Sequence, residues 1–169
     1  MKIIRIPECA SLMTVMKECG EFPVAFITDY QTAGHGQYER HWESERGKNL
    51  LCGFVFDSSK LKTPDNVSRH AVECVMKTLD DFLENSGFKT RFKSPNDIYI
   101  GDKKVCGMLI ENDFLSTSMK ISRIGLGINV NQEIFYSDAP NPISLKNVLK
   151  KDVDVDKVFA KLIDNFFSI

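Results

Sequence analysis

The stretch Lys93–Asn112, KSPNDIYIGDKKVCGMLIEN, decides the fold. Two β-branched and aromatic runs, Ile98–Ile100 and Val105–Ile110, flank Gly101-Asp102, a pair suited to a tight turn, so the stretch predicts a β-hairpin. Before it, KTRFK at 89–93 reads as a short strand. After it, Met119–Val130 reads as a last long strand containing ISRIGLGINV. Gly125 and Gly127 alternate there with larger apolar residues, which leaves one strand face bare for a ligand or for another part of the chain to approach closely.

Outward from this block, Ile3–Ile6 predicts a first strand, and Ser11–Cys19 a helix that carries Leu12, Val15 and Met16 and stops at Gly20. Pro23–Tyr30 predicts a second strand, which feeds QTAGHGQYERHWESERGKN, a polar loop long enough to suggest a functional role. Leu50–Asp57 reads as a buried strand. A helix from about Asn66 to Glu84 follows, with Val67, Ala71, Val75, Leu79, Phe82 and Leu83 facing the core and Gly87 past its end. His70 beside that stripe reads as a packing residue. Beyond Pro140 and Pro142, Ser144 and Asp154 are expected to cap two more helices. The second ends in Phe166, Phe167 and Ile169, which reads as a partner-covered surface or a truncated chain. Together the pattern predicts one α+β domain over 1–169, with a mixed, largely antiparallel sheet flanked by helices.

Composition narrows the function classes. The 169 residues carry 22 Lys and Arg against 23 Asp and Glu, a formal net charge of -1, so no overall field draws the chain to nucleic acid or anionic membrane. No apolar run approaches the roughly 18 residues of a membrane span, and MKIIRIPECA does not read as a signal peptide. The five cysteines form no C-x-x-C pair and the three histidines no metal spacing, so the thiols are expected to be reduced packing residues of a cytoplasmic protein.

Three segments stand out together: the glycine loop Gln31–Trp42, KSPND at Lys93–Asp97, and IGLGIN at Ile124–Asn129. Each is weak alone, because glycine loops and Pro-Asn-Asp turns are common. Their order resembles the biotin-protein ligase family, which carries a QTAGRGRxG-type loop followed by Trp, a KWPND motif, a G-[IM]-L-[IV]-E strand and an IGxGIN strand. The matching residues here are QTAGHGQYERHW, KSPND, GMLIEN and IGLGINVNQ, and SDAPNPISL at Ser137–Leu145 also fits, so the resemblance covers essentially the whole chain.

The resemblance implies the biotin/lipoate ligase catalytic fold, similar to class II aminoacyl-tRNA synthetases. It implies activation of biotin by ATP with Mg2+ to biotinyl-5′-AMP, then transfer to a lysine on the biotin carrier domain of a carboxylase. Lys93 would bridge the biotin carboxylate and the α-phosphate as the catalytic cation. Phe88–Lys104 holds five basic residues against two aspartates, a local +3 that suits this role. Gln31, Thr32, Gly34, His35, Gly36, Gly107, Gly125 and Gly127 would bind biotin. Gln37, Arg40, Trp42, Asn96 and Asn129 would serve the nucleotide, with Trp42 covering the adenine or capping the core and Asn96 holding the motif's turn. Asp97 is the implied magnesium ligand. A homodimer is compatible with the family, and with no helix-turn-helix segment before the catalytic domain, DNA is not an expected partner.

The sequence also departs from the family. Cys9-Ala10-Ser11 stands where Ser-Thr-Asn is usual, which predicts weaker biotin binding. His35, Gln37 and Tyr38-Glu39 replace cationic and glycine positions, and Gln31–Lys48 sums to zero charge, which predicts a poorer phosphate clamp. Ser94 replaces the tryptophan of KWPND, and the small C-terminal β domain of the family is expected to be absent or truncated. These departures keep two rivals in view: a paralogue that binds biotin or its adenylate with little catalysis, and a lipoyl or octanoyl transferase on the same fold.

Overall fold

A computed structural model describes residues 1–137 and 141–168. Asp138–Pro140 of the SDAPNPISL stretch and the terminal Ile169 lie outside the described residues. Among the described residues there are seven strands and four α-helices: β1 (Lys2–Cys9), α1 (Leu12–Glu18), β2 (Val24–Gln31), β3 (Leu50–Asp57), α2 (Pro64–Phe82), β4 (Thr90–Lys93), β5 (Asp97–Ile100), β6 (Lys103–Leu115), β7 (Ser118–Ile128), α3 (Leu145–Leu149) and α4 (Val155–Phe167). The strands make one sheet in the order β1-β2-β3-β7-β6-β5-β4. Only the β1–β2 pair is parallel, so the sheet is mixed and largely antiparallel, as the sequence predicts.

Strand alternation divides the sheet into a dry face and a site face. Leu50, Cys52, Phe54 and Phe56 of β3, with Ile124, Leu126 and Ile128 of β7, join Val67, Ala71, Val75 and Leu79 of α2 and Val158, Phe159, Leu162 and Phe166 of α4 in one core. α2 starts at Pro64, two residues before the sequence estimate, because the Thr63 side chain caps it by accepting from the Asn66 N–H and proline suits the first turn. The apolar end of α4 is not a bare partner surface. Phe166 stacks on Phe54 at 4.5 Å between centroids, and Phe167 meets both Phe54 and Phe56 edge-on. His70 belongs to this packing, with Nε2 3.0 Å from the Phe166 carbonyl oxygen.

On the opposite face α1 packs over β3 and β7, with Leu12, Met13 and Met16 against Val24, Phe26 and Val55. The glycines make room for it. A Cβ at Gly53 would fall 2.6 Å from Met16 Sδ, and one at Gly125 would fall 2.8 Å from Met13 Sδ. Arg123 ties the layers together by donating from Nε to the Met16 carbonyl and pairing with Asp113 at 2.6 Å.

Candidate active site

Past the end of α1 the site face opens into a cavity of ≈ 780 Å³, a size that holds a drug-sized ligand or larger. Its floor is the continuation of the glycine strand. Gly127 of β7 faces Gly107 of β6, and Gly107 faces Asp97 of β5. Residues directly opposed in antiparallel strands share a face, so these three lie side by side beneath the cavity. Part of that floor is taken by the protein itself. A Cβ at Gly127 would sit 2.5 Å from Trp42 Cε2 and one at Gly107 3.0 Å from Trp42 Cζ3, so the indole rests on both glycines and forms a wall of the cavity.

The loop after β2 is folded back to bring Trp42 there. Thr32 and Ala33 N–H groups donate to the Cys9 and Ala10 carbonyls, Trp42 N–H donates to the Gly34 carbonyl, and His35 faces His41 across an antiparallel bridge. Gln31 fixes the inner end, since its Oε1 accepts from the Leu12 N–H at 2.7 Å. At Gly34 a Cβ would stand 3.0 Å from Gln31 Nε2, so a side chain there would crowd the amide. Glu43 then clamps the far wall, accepting from the N–H groups of Tyr136 (2.8 Å) and Ser137 (2.7 Å). Partial burial pushes the Glu43 carboxyl up, but donors from Ser137 and Tyr136, with His41 nearby, outweigh it and hold the group below its ordinary value.

Beside Arg40, the cavity holds a lysine that the sequence reading did not select, Lys104. Its Nζ lies 2.7 Å from Asp97 Oδ1 and 5.4 Å from the Trp42 ring centroid. A bulge puts it there. Ile98 pairs with Cys106 but Tyr99 pairs with Lys104, so Val105 is the extra residue. Strict alternation back from Gly107 would send Lys104 to the dry face; the bulge turns Val105 and Cys106 both inward and re-aims the lysine. Beside Asp97 Oδ1, which has the Lys104 ion pair, three polar atoms in the lining are buried without a hydrogen-bond partner, Trp42 Nε1, Asn129 Oδ1 and Ser137 Oγ. Trp42 Nε1 and Asn129 Oδ1 offer a ligand one donor and one acceptor in a place where leaving them unpaired is costly. Asn129 is held by its main chain, its N–H on the Val105 carbonyl and its own carbonyl accepting from Leu145.

Of the residues expected at the site, Gln31, His35, Gly36, Gln37, Arg40, Trp42, Asn96, Asp97, Gly107, Gly125, Gly127 and Asn129 line the cavity. Thr32, Gly34 and Lys93 do not. Lys93 lies at the end of the edge strand β4 with its amine 3.2 Å from the Tyr99 hydroxyl, because β4 is two strands outside Gly107 in the sheet. Asn96 holds the turn, its amide donating to the Met108 carbonyl at 2.7 Å while its carbonyl accepts from the Met108 N–H. Ser11, Leu12, Met13 and Phe135 also line the cavity and were not selected from sequence.

Comparison with known proteins agrees with this architecture. Residues 21–129 match the model of the biotin/lipoate A/B protein ligase family. The bifunctional ligase/repressor BirA of Bacillus subtilis is 36% identical over 109 residues, which are 63% of this chain and 32% of that protein. Biotin–protein ligase 2 of Arabidopsis thaliana is 25% identical over 164 residues, 88% of this chain and 47% of that protein. The chain thus spans about a third to a half of the length of these curated relatives. The biotin protein ligase of Aquifex aeolicus, solved in complex with biotin and ATP, superposes with a TM-score of 0.83 at 25% identity, covering 99% of this chain and 69% of that one. With its glycine-floored cavity on a fold shared with solved biotin protein ligases, the chain belongs to the biotin/lipoate A/B protein ligase family.

Proposed function

We propose that the cavity binds biotin and ATP, joins them as biotinyl-5′-AMP with release of pyrophosphate, and passes the biotinyl group to a lysine of a carboxylase biotin carrier domain. The observation that carries this reading is the ammonium of Lys104, the one lysine among the described lining residues, turned by the bulge to the cavity face and paired with Asp97. Two anionic reactants must meet for the carboxylate to attack phosphorus, and a fixed cation between them offsets their repulsion and the charge of the transition state. Lys104 leaves Asp97 for the carboxylate and α-phosphate oxygens, and serves again when the acceptor amine attacks the carbonyl and its oxygen becomes negative. Trp42, seated on Gly107 and Gly127, presents its cavity side to the flat part of a ligand, and Trp42 Nε1 and Asn129 Oδ1 gain the partners they lack.

Magnesium fits the site as a companion of the triphosphate. Among the described residues no three His, Cys, Asp or Glu side chains cluster as a cage, and Asp97 is the lining acid free to turn to the ion once Lys104 leaves it. When bound, the ion supplies charge neutralisation of the phosphates. The departures in the glycine loop support slow rather than absent adenylation, because they remove cations around a cavity that keeps Lys104.

The test is incubation of the chain with biotin, ATP, magnesium and a carrier domain, reading pyrophosphate release and carrier biotinylation. Product from the parent and none from Lys104→Ala is the expected pair. A Lys104→Ala rate equal to the parent's refutes the assignment, and preferential activation of lipoate or octanoate moves it to the other branch of the family.

A further inference from the structure

One rung of the sheet continues from the cavity floor to the open edge. Gly127 faces Gly107, Gly107 faces Asp97, and Asp97 faces Lys93. Lys93 therefore stands on the cavity face two strands beyond Gly107, about 10 Å away at the usual strand spacing. On the neighbouring position Arg91 faces Tyr99. The buried Tyr99 ring carries both cations. Lys93 Nζ lies 4.8 Å from its centroid and 3.2 Å from its hydroxyl, and the Arg91 guanidinium lies 5.0 Å from the centroid with Nε donating to the Gly101 carbonyl at 2.7 Å. Among the described side chains neither cation is paired with a carboxylate. Asp97, between them and the floor, is held by Lys104.

We propose that Arg91 and Lys93 form a pyrophosphate shelf, a subsite that takes the β- and γ-phosphates of the nucleotide and then the pyrophosphate leaving group. This rests on the reading of the cavity as a site for biotin and ATP. In the first step a carboxylate oxygen forms a bond to the α-phosphorus while the bond from that phosphorus to the bridging oxygen breaks, and the electron pair leaves on pyrophosphate. In-line displacement sends the leaving group away from the carboxylate. With Lys104 at the reacting centre, the next fixed cations along the floor toward the edge are Lys93 and Arg91. The glycine loop cannot supply this attraction as a whole, since Gln31–Lys48 sums to zero. Fixing two like charges over one ring without a counter-ion is unfavourable, and a polyanion lying across both relieves it.

The experiment titrates inorganic pyrophosphate into the whole chain by calorimetry, for the parent, Arg91→Gln, Lys93→Gln, the double variant and Arg91→Lys. Both positions are exposed, so the variants are expected to melt with the parent. Each single neutralisation should weaken pyrophosphate binding roughly tenfold and the double variant roughly a hundredfold, with Arg91→Lys close to the parent. In turnover the KM for ATP and the inhibition constant of pyrophosphate rise together, while the KM for biotin and transfer from supplied biotinyl-5′-AMP hold. Parental pyrophosphate affinity in the double variant overturns the proposal. So does a pattern in which the variants raise only the KM for the carrier domain, which makes the patch a docking surface for an acidic polypeptide. Calorimetry needs no turnover, so a chain that forms no biotinyl-adenylate would defeat the ligase reading while the binding series still judges the shelf.

Discussion

Replacing Lys104 by alanine tests the centre of the site. The amine lies 2.7 Å from Asp97 Oδ1, with the two side chains 23% and 21% exposed, so the pair is mostly shielded from water. In the resting protein the substitution leaves Asp97 without its cation, and the carboxylate can turn toward the cavity and its water. The stability loss should therefore stay near 1 kcal/mol, well below that of a fully buried pair. The catalytic loss should be much larger. A cation that bridges carboxylate and α-phosphate makes two charge-assisted hydrogen bonds, each contributing about 1.5 to 3 kcal/mol. Losing both predicts a fall of roughly a hundredfold to ten-thousandfold in adenylate formation. Rapid-quench measurement of biotinyl-5′-AMP separates this step from transfer, and a urea melt reads the stability. A variant within fivefold of the parent in adenylate formation, with an intact melt, would mean that Lys104 only holds Asp97.

Four further outcomes are expected. Gly127→Ala would drive a methyl to 2.5 Å from the Trp42 ring, so the indole must move; a loss of roughly 1 to 3 kcal/mol and an altered emission of the single tryptophan should follow. Glu43 is held below its ordinary value, so its clamp on Tyr136 and Ser137 is complete above the unfolded pKa of about 4.3 and is lost as pH falls through the lower folded value. Hydrogen exchange of those two amides should speed up in that acid window, and Glu43→Gln should remove the pH dependence. Phe166→Ala should cost about 3 to 5 kcal/mol in a denaturant melt, because the ring stacks on Phe54 at 4.5 Å. His35→Arg restores a cation to the neutral loop and should speed adenylate formation by roughly tenfold; an unchanged rate would show that loop charge is not limiting.

The fold was legible where periodicity and local chemistry agree. β3 falls at Leu50–Asp57 as read, the Gly101-Asp102 hairpin is present, and the Ser144 and Asp154 caps start α3 and α4. The packing of the end of α4 was not legible, because an apolar terminus looks the same whether it meets a partner or its own sheet; only the tertiary placement of Phe54 and Phe56 decides. Within the site, glycine spacing picked out Gly107 and Gly127, which line the cavity, and the KSPND stretch carries Asp97, which faces Gly107. Lys93 lies two strands outside Gly107, and Lys104, which lines the cavity, was not selected. Alternation points Lys104 away from Gly107, and only the unpaired Val105 reverses it. The adjacent apolar pair Val105-Cys106 is the signal in the sequence, since two consecutive inward residues break a period of two.

That single unpaired residue has an evolutionary corollary. Removing the extra residue's bulge from this hairpin would exchange the chemistry presented at the cavity, offering the Val105 side chain in place of an ammonium, without altering the outline of the sheet. Chains of this kind that look alike by overall similarity can therefore differ in whether they turn over at all. Counting residues between the turn glycine and the floor glycine, six positions from Gly101 to Gly107, is a sharper criterion for grouping them than percentage identity.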